Sequence, residues 1–161
     1  MINVILADHE KIFRIGMASA LAAEDDIRIV GQPANAAQVL HGVETFRPHV
    51  LVLSSAFLGY IDAIRQVCNR QHTAMLLLQD GGATNAHEYS SDFQGVIHRS
   101  ADETTVMRFI RHLARGGKVV RLGPLTYQER AVDHVGTRVR RSLTPQEIEI
   151  VAYVVLSLIH I

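Results

Sequence analysis

Five short runs rich in apolar residues recur between the N-terminus and residue 98. Runs of this length, bounded by polar residues and glycine, are typical of strands that are buried on both faces of a sheet. The pattern predicts strands at residues 2–7, 27–31, 49–53, 74–78 and 95–98.

Between most of these runs, apolar residues return every three or four positions, which is typical of amphipathic helices. Strands that alternate with helices favour a parallel sheet with helices on both faces, a doubly wound α/β fold. Ligand sites in such sheets lie beyond the carboxyl ends of the strands. The helices are predicted within residues 12–24, 35–46, 60–68 and 102–116, whereas residues 81–94 are weakly helical at best.

The pattern changes after Gly116 and Gly117. In residues 118–141 the apolar residues have no sustained period. Residues 108–161 together carry a net charge of +5, and residues 1–107 carry −5. A basic segment like this is typical of a solvated linker or of contact with nucleic acid. From residue 142 a helix is predicted, because Thr144 and Glu147 form a capping box around Pro145.

Composition narrows the class of protein. The chain is 48% hydrophobic and 20% charged, which favours a globular protein over a disordered one. A single cysteine, Cys68, excludes an intramolecular disulfide framework. The N-terminus lacks the basic and apolar regions of a signal peptide, and no apolar run is long enough to cross a membrane. We therefore expect a cytoplasmic protein without a membrane partner.

Several stretches resemble response regulators of the NarL/FixJ type, a LuxR-class family. The opening strand and helix, "RPHVLVLS" (47–54) and "GVIHRSADETTVMRFIRHLARGG" (95–117) are similar to the receiver domain of that family. "LTPQEIEIVAYV" (143–154) resembles the start of its helix-turn-helix domain. The resemblance implies a CheY-like, flavodoxin-like (βα)5 receiver at 1–117 with strand order 2-1-3-4-5. It further implies a linker at 118–141 and, at 142–161, only the first helix of a DNA-binding domain.

The family transfers a phosphoryl group from a histidine kinase to an aspartate, with Mg²⁺ bound by acidic residues. Residue by residue, the resemblance puts Asp8 and His9 at the acidic pair and Ser54 at the phosphoacceptor. Gln79 falls at the Thr/Ser position and Arg99 at the lysine. Only Asp8 keeps the expected chemistry, since a neutral hydroxyl cannot form an acyl phosphate. We expect a vestigial pocket with no catalytic residue, no cofactor and no bound metal, Asp8 being the remaining candidate ligand.

Other chemistries have weaker support. Ser54 has no Gly-x-Ser-x-Gly elbow, and adjacent strand-end residues such as Asp8 and His9 point to opposite faces. The nine histidines lack ligand spacing, and no dinucleotide fingerprint or P-loop is present. The sequence therefore does not predict an enzyme.

We expect a transcriptional regulator that acts through protein contacts, independently of phosphorylation. Its partner would be a second copy or another regulatory protein, bound through the last receiver helix with Arg108 and Arg111. The alternative is a sensor of a small ligand, an anion or a metal in the vestigial pocket, with Arg99 holding an anion. Nothing in the sequence predicts whether a histidine kinase docks.

DNA binding is expected only in a longer form of the protein. Three arginines of the basic segment, Arg138, Arg140 and Arg141, could contact phosphates, which would give no sequence specificity. The family's continuation after the first helix is missing, and we expect the reading frame to be truncated.

Overall fold

The computed structural model describes residues 1–80 and 92–118, and within them the chain forms a five-stranded parallel sheet flanked by helices. The strands are β1 (Ile2–Ala7), β2 (Ile27–Gly31), β3 (Val50–Ser54), β4 (Ala74–Gln79) and β5 (Gly95–His98). The helices are α1 (Lys11–Ala22), α2 (Ala36–Phe46), α3 (Ile61–Gln71) and α4 (Glu103–Ala114), and a 3-10 turn spans Ser55–Tyr60.

The strand order is β2-β1-β3-β4-β5, which confirms the predicted doubly wound topology. All four neighbouring pairs are parallel, and β3 pairs in register with both β1 and β4. The chain crosses from β1 outward to β2 and then back to β3, so the order reverses between β1 and β3. Ligand sites of open α/β sheets lie at this point, beyond the carboxyl ends of the strands.

The two faces of the sheet carry separate cores, because successive side chains of a strand point to opposite sides. On one face Val4, Leu6, Val50 and Val52 pack with residues of α1 and α4. On the other face, the alternate strand residues pack with α2, α3 and the 3-10 turn. Burial on both faces explains why the strands read as continuous apolar runs rather than as alternating ones.

Some element boundaries differ from the prediction by a few residues. Ser54 belongs to β3 and Gln79 to β4, since backbone pairing continues past the last apolar side chain. Helix α3 continues through polar residues to Gln71 and ends where His72 adopts a left-handed conformation, with φ of 56°. Apolar periodicity cannot detect such polar final turns.

Helix α4 is fixed at both ends by side chains. Asp102 caps its N-terminus by accepting a hydrogen bond from the Thr105 N–H, and this bond lowers the pKa of the Asp102 carboxyl. Near its C-terminus, Arg111 donates hydrogen bonds to Asp26 and Glu24 in the segment between α1 and β2. All of its larger apolar side chains are buried in the sheet core: Val106, Met107, Phe109, Ile110 and Leu113.

This burial restricts which side of the last receiver helix a partner could contact. The apolar side of residues 104–113 is not available to a second protein, and Arg111 is engaged within the same chain. The solvent-facing side of α4 is polar and includes Thr104 and Arg108.

Three predictions lie outside the described residues: the weakly helical stretch over most of 81–94, the linker, and the helix-turn-helix segment with Arg138, Arg140 and Arg141. Among the helices that the structure describes, none combines the length and the apolar character needed to cross a bilayer.

Candidate functional site

Charged side chains from three strand ends meet at the carboxyl edge of the sheet. Asp8 follows β1, Asp80 follows β4 and Arg99 follows β5. Counting by twos along each strand places all three side chains on the α1 and α4 face of the sheet, together with Ser54 at the end of β3. Glu10, in the turn before α1, joins the same cluster through its carboxylate.

Asp8 is completely buried, and its two carboxylate oxygens have different partners. Its Oδ1 accepts a hydrogen bond of 2.7 Å from the Glu10 N–H, which ties the turn between β1 and α1. Its backbone carbonyl accepts a bond from the guanidinium of Arg14 on α1. A buried carboxylate is costly without a counter-ion, and Arg99 provides one.

Arg99 is the centre of the cluster. Its Nη1 lies 3.0 Å from Asp8 Oδ2 and 3.6 Å from Asp80 Oδ1, and its Nη2 donates a 3.0 Å hydrogen bond to Glu10 Oε2. The Arg99 Cζ lies 3.9 Å from the centroid of the Phe13 ring, a cation–π arrangement. The Arg99 side chain is only 12% exposed, so protein groups rather than water surround most of it.

The position of Arg99 follows from the sheet. Its backbone N–H donates a 2.8 Å hydrogen bond to the carbonyl of Gln79, which extends the pairing of β4 with β5 by one residue. Arg99 therefore leaves the sheet beside the end of β4, with its side chain directed toward β1. Glu10 and Asp80 are therefore paired with Arg99 in addition to Asp8.

Ser54 is completely buried at the end of β3, and its hydroxyl has no hydrogen-bond partner among the described residues. Extending the β1–β3 register by one residue places it opposite Asp8. The next residue, Ser55, donates a 2.7 Å hydrogen bond to Asp80 Oδ2. Ser55 therefore connects the end of β3 to the cluster, whereas the Ser54 side chain is packed next to the cluster without a hydrogen bond.

The other two predicted pocket residues lie at its margin. His9 is half-exposed, with its Nδ1 3.6 Å from Asp8 Oδ1, a distance too long for a hydrogen bond. Gln79 pairs with His98 in the sheet, and its side chain alternates to the opposite face from Leu78. Gln79 was predicted in the pocket, and the residue of this segment that contacts Arg99 is its neighbour Asp80. Counting alternate positions past the strand end is the signal that identifies Asp80.

The cluster does not fit Mg²⁺. A divalent cation needs several carboxylate or carbonyl oxygens around one point, but here the guanidinium already lies between the three carboxylates. Within residues 1–80 and 92–118, no three His, Cys, Asp or Glu side chains are close enough together to hold a metal ion. With three carboxylates around one guanidinium, the cluster also offers little attraction to an anion.

The fold is similar to solved receiver domains of response regulators. The receiver domain of NarL from Mycobacterium tuberculosis matches with a TM-score of 0.64 and 19% identity, covering 71% of this chain and 97% of that one. The receiver domain of RcsB from Salmonella enterica serovar Typhimurium, in its apo form, gives 0.64 and 18%, covering 75% and 93%. A LuxR-family response regulator from Staphylococcus aureus gives 0.63 and 13%, covering 71% and 99%.

At these identities the likeness establishes the fold: residues 1–80 and 92–118 adopt the CheY-like receiver fold. Two curated relatives are named transcriptional regulatory protein BtsR, from Salmonella typhi and Salmonella typhimurium strain LT2. Each is 42% identical over 53 residues, which is 33% of this chain and only 22% of the relative's length. No protein-family model matches the chain.

Proposed function

We propose that the chain is a response-regulator-like transcriptional regulator that signals through protein contacts and independently of phosphorylation. The observation that carries this proposal is Ser54, a buried neutral hydroxyl at the strand end where the family's phosphoacceptor aspartate resides. A serine hydroxyl is a weak nucleophile without a base within hydrogen-bond reach, and no described group forms a hydrogen bond with the Ser54 Oγ.

Arg99 supports the same reading. In a phosphorylated receiver, a phosphoryl group and its cation would have to enter the space between Asp8 and the strand ends. Here the guanidinium lies in that space and is held by three carboxylates, which would repel a phosphoryl dianion. A ligand shifts a conformational equilibrium only if it binds the two states differently, and this pocket offers a phosphoryl group little to bind.

The experiment is incubation of the full chain with acetyl phosphate and Mg²⁺, followed by intact-mass spectrometry. We expect no increase by the mass of a phosphoryl group, while a receiver that carries the aspartate gains it under the same conditions. A phosphoryl adduct on this chain, mapped to any residue of the pocket, would overturn the proposal.

We also propose that the partner, a second copy or another regulatory protein, contacts the polar side of α4. Arg108 is exposed there and forms no hydrogen bond or ion pair with another described residue. Its charge contributes slightly to the lowered pKa of Asp102. Rim charges of this kind set association rates and partner choice. Light scattering of the wild type and of Arg108→Glu tests it: self-association that the substitution leaves unchanged would exclude this surface.

We further propose that the protein regulates transcription in the cytoplasm. The word "regulatory" in the relatives' name and the LuxR-family structure support it. The alternative of an anion sensor has no support from the pocket, because Arg99 is already paired with Asp8, Glu10 and Asp80.

A further inference from the structure

In the cluster at the carboxyl edge of the sheet, the carboxylates outnumber the guanidinium that they surround. Three carboxylates, two from the turn after β1 and one from the end of β4, surround one guanidinium, and the most buried of them, Asp8, has no solvent exposure. Asp8 Oδ2 and Arg99 Nη1 are both buried, and neither forms a directed hydrogen bond with a described residue although they lie 3.0 Å apart. Their contact is therefore a charge pair, and its strength depends on charge more than on geometry.

We propose that Arg99 is a built-in cation that takes the place of a divalent metal ion at this edge. It joins the turn after β1, the end of β4 and the start of the loop after β5 in one arrangement that needs no metal. This inference rests on the proposed function for its biological meaning, since it describes how the pocket of a phosphorylation-independent receiver is kept in a single state.

The carboxylates of the cluster are suited to bind either a divalent metal ion or a guanidinium. Carboxylate oxygens bind hard divalent cations, and they also bind guanidinium in charge-assisted hydrogen bonds. A guanidinium is planar and wider than a metal ion, so its partners are spread around it. That spread accounts for the lack of a compact group of three metal-binding side chains in the described part of the chain.

The surroundings fix Arg99 in place, as a permanent cation requires. Its backbone N–H is bound to Gln79, its side chain lies over the Phe13 ring, and it is 12% exposed. The hydrogen bond from the Glu10 N–H to Asp8 fixes the turn after β1, and the Glu10 carboxylate accepts a hydrogen bond from Arg99. A mobile surface arginine would have neither the ring nor the backbone anchor.

Removing the guanidinium should convert the cluster into a metal-responsive one. In Arg99→Gln, Asp8, Glu10 and Asp80 lose their counter-ion while an uncharged side chain leaves space for an ion with its water. We expect the Tm of this variant in EDTA to fall by about 5 °C or more. Millimolar Mg²⁺ or Ca²⁺ should restore at least about 2 °C of it by binding the folded state.

The wild-type chain and the control variant Arg28→Gln should each have the same Tm in EDTA and in Mg²⁺. Arg28→Gln removes an exposed arginine on β2 that takes no part in the cluster. Two results would overturn the proposal: a wild type that Mg²⁺ stabilises through an effect lost in Asp8→Asn, or an Arg99→Gln variant that neither cation stabilises.

A second measurement covers the case in which Arg99→Gln does not fold. Electron paramagnetic resonance of free Mn²⁺ titrated with wild-type protein reports binding directly, and we expect no binding that depends on Asp8. Binding that Asp8→Asn abolishes would overturn the inference even if acetyl phosphate still adds no phosphoryl mass, so its failure and that of the proposed function can be told apart.

Discussion

Arg99 Nη1 lies 3.0 Å from Asp8 Oδ2, and this pair links the carboxyl ends of β5 and β1 across the two strands between them. The strand order makes the contact long-range in sequence but local at one edge of the sheet. Glu10 and Asp80 complete the surroundings of the guanidinium. The stability of this edge should therefore depend on charge balance more than on any one contact.

Substitutions at Asp8 and Arg99 should not be additive. Arg99→Met should destabilise the protein by about 2–4 kcal/mol, because it leaves the buried Asp8 carboxylate unpaired. Asp8→Asn should cost less, since Arg99 retains Glu10 and Asp80. Urea unfolding of the two single variants and of the double variant measures the coupling. A double variant whose loss equals the sum of the single losses would contradict the pairing.

The Ser54 hydroxyl should contribute nothing to stability. It is buried and has no partner among the described residues, so Ser54→Ala removes an uncompensated polar group. We expect Ser54→Ala to be neutral or stabilising by up to about 1 kcal/mol. Ser54→Asp should destabilise strongly, since it places a second buried carboxylate opposite Asp8.

Chemical denaturation at neutral pH compares these two variants with the wild type. A loss of more than about 1 kcal/mol in Ser54→Ala would mean that the hydroxyl has a partner that this account lacks.

The free energy of unfolding should decrease in acid, in part because Asp26 becomes protonated and its ion pair with Arg111 is lost. The hydrogen bonds from Arg111 hold the pKa of Asp26 below its usual value of 3.8. Because the folded pKa is lower than the unfolded one, this pair stabilises the fold above the unfolded pKa, and the stabilisation is lost as the pH falls through the folded pKa. The Tm difference between wild type and Arg111→Gln should therefore be largest near neutral pH and should shrink below about pH 4. A difference that is constant from pH 7 to acid would contradict the assignment.

The single cysteine should report on the core between α3 and the sheet. Burial raises the pKa of the Cys68 thiol from 9.0 to about 12. Since thiolate is the reactive form, native protein at pH 8 should react with a thiol reagent far more slowly than protein in denaturant, which should release one equivalent. Labelling of the native protein at the unfolded rate would mean that α3 opens readily.

The same raised pKa has an alkaline consequence. A thiol whose folded pKa exceeds its unfolded one stabilises the fold fully below the unfolded pKa, and this stabilisation is lost as the pH rises toward the folded value of about 12. Cys68→Ala should therefore lower stability at neutral pH through its smaller volume, with a shallower decline above pH 9 than the wild type. A parallel decline in both proteins would contradict the burial of the thiol.

The fold was predictable because burial on both faces leaves a strong signal in the sequence. Runs such as Val50–Leu53 can only be strands when helical periods flank them, and the order of elements then fixes the topology. The polar ends of elements were not predictable, as at Gln79 and Gln71, because backbone pairing there has no apolar counterpart.

The site was predictable in position and only partly in composition. Strand ends identified Asp8, Ser54 and Arg99, but the pairing of Arg99 with Glu10 depends on a turn whose shape comes from the Asp8–Glu10 hydrogen bond. The choice of Asp80 over Gln79 depends on side-chain alternation continuing past β4. The burial of the apolar side of α4 was implicit in its periodicity, since a helix that covers a sheet has no second apolar face to offer.

The central claim is that this pocket stays in one state without phosphate or metal. Amide hydrogen exchange of the wild-type chain, with and without acetyl phosphate and Mg²⁺, tests it most directly. We predict identical exchange in residues 8–14, 54–60 and 99–103, the segments around Asp8, Ser54 and Arg99. Protection that changes in any of these segments on addition of the phosphodonor and Mg²⁺ would contradict the account.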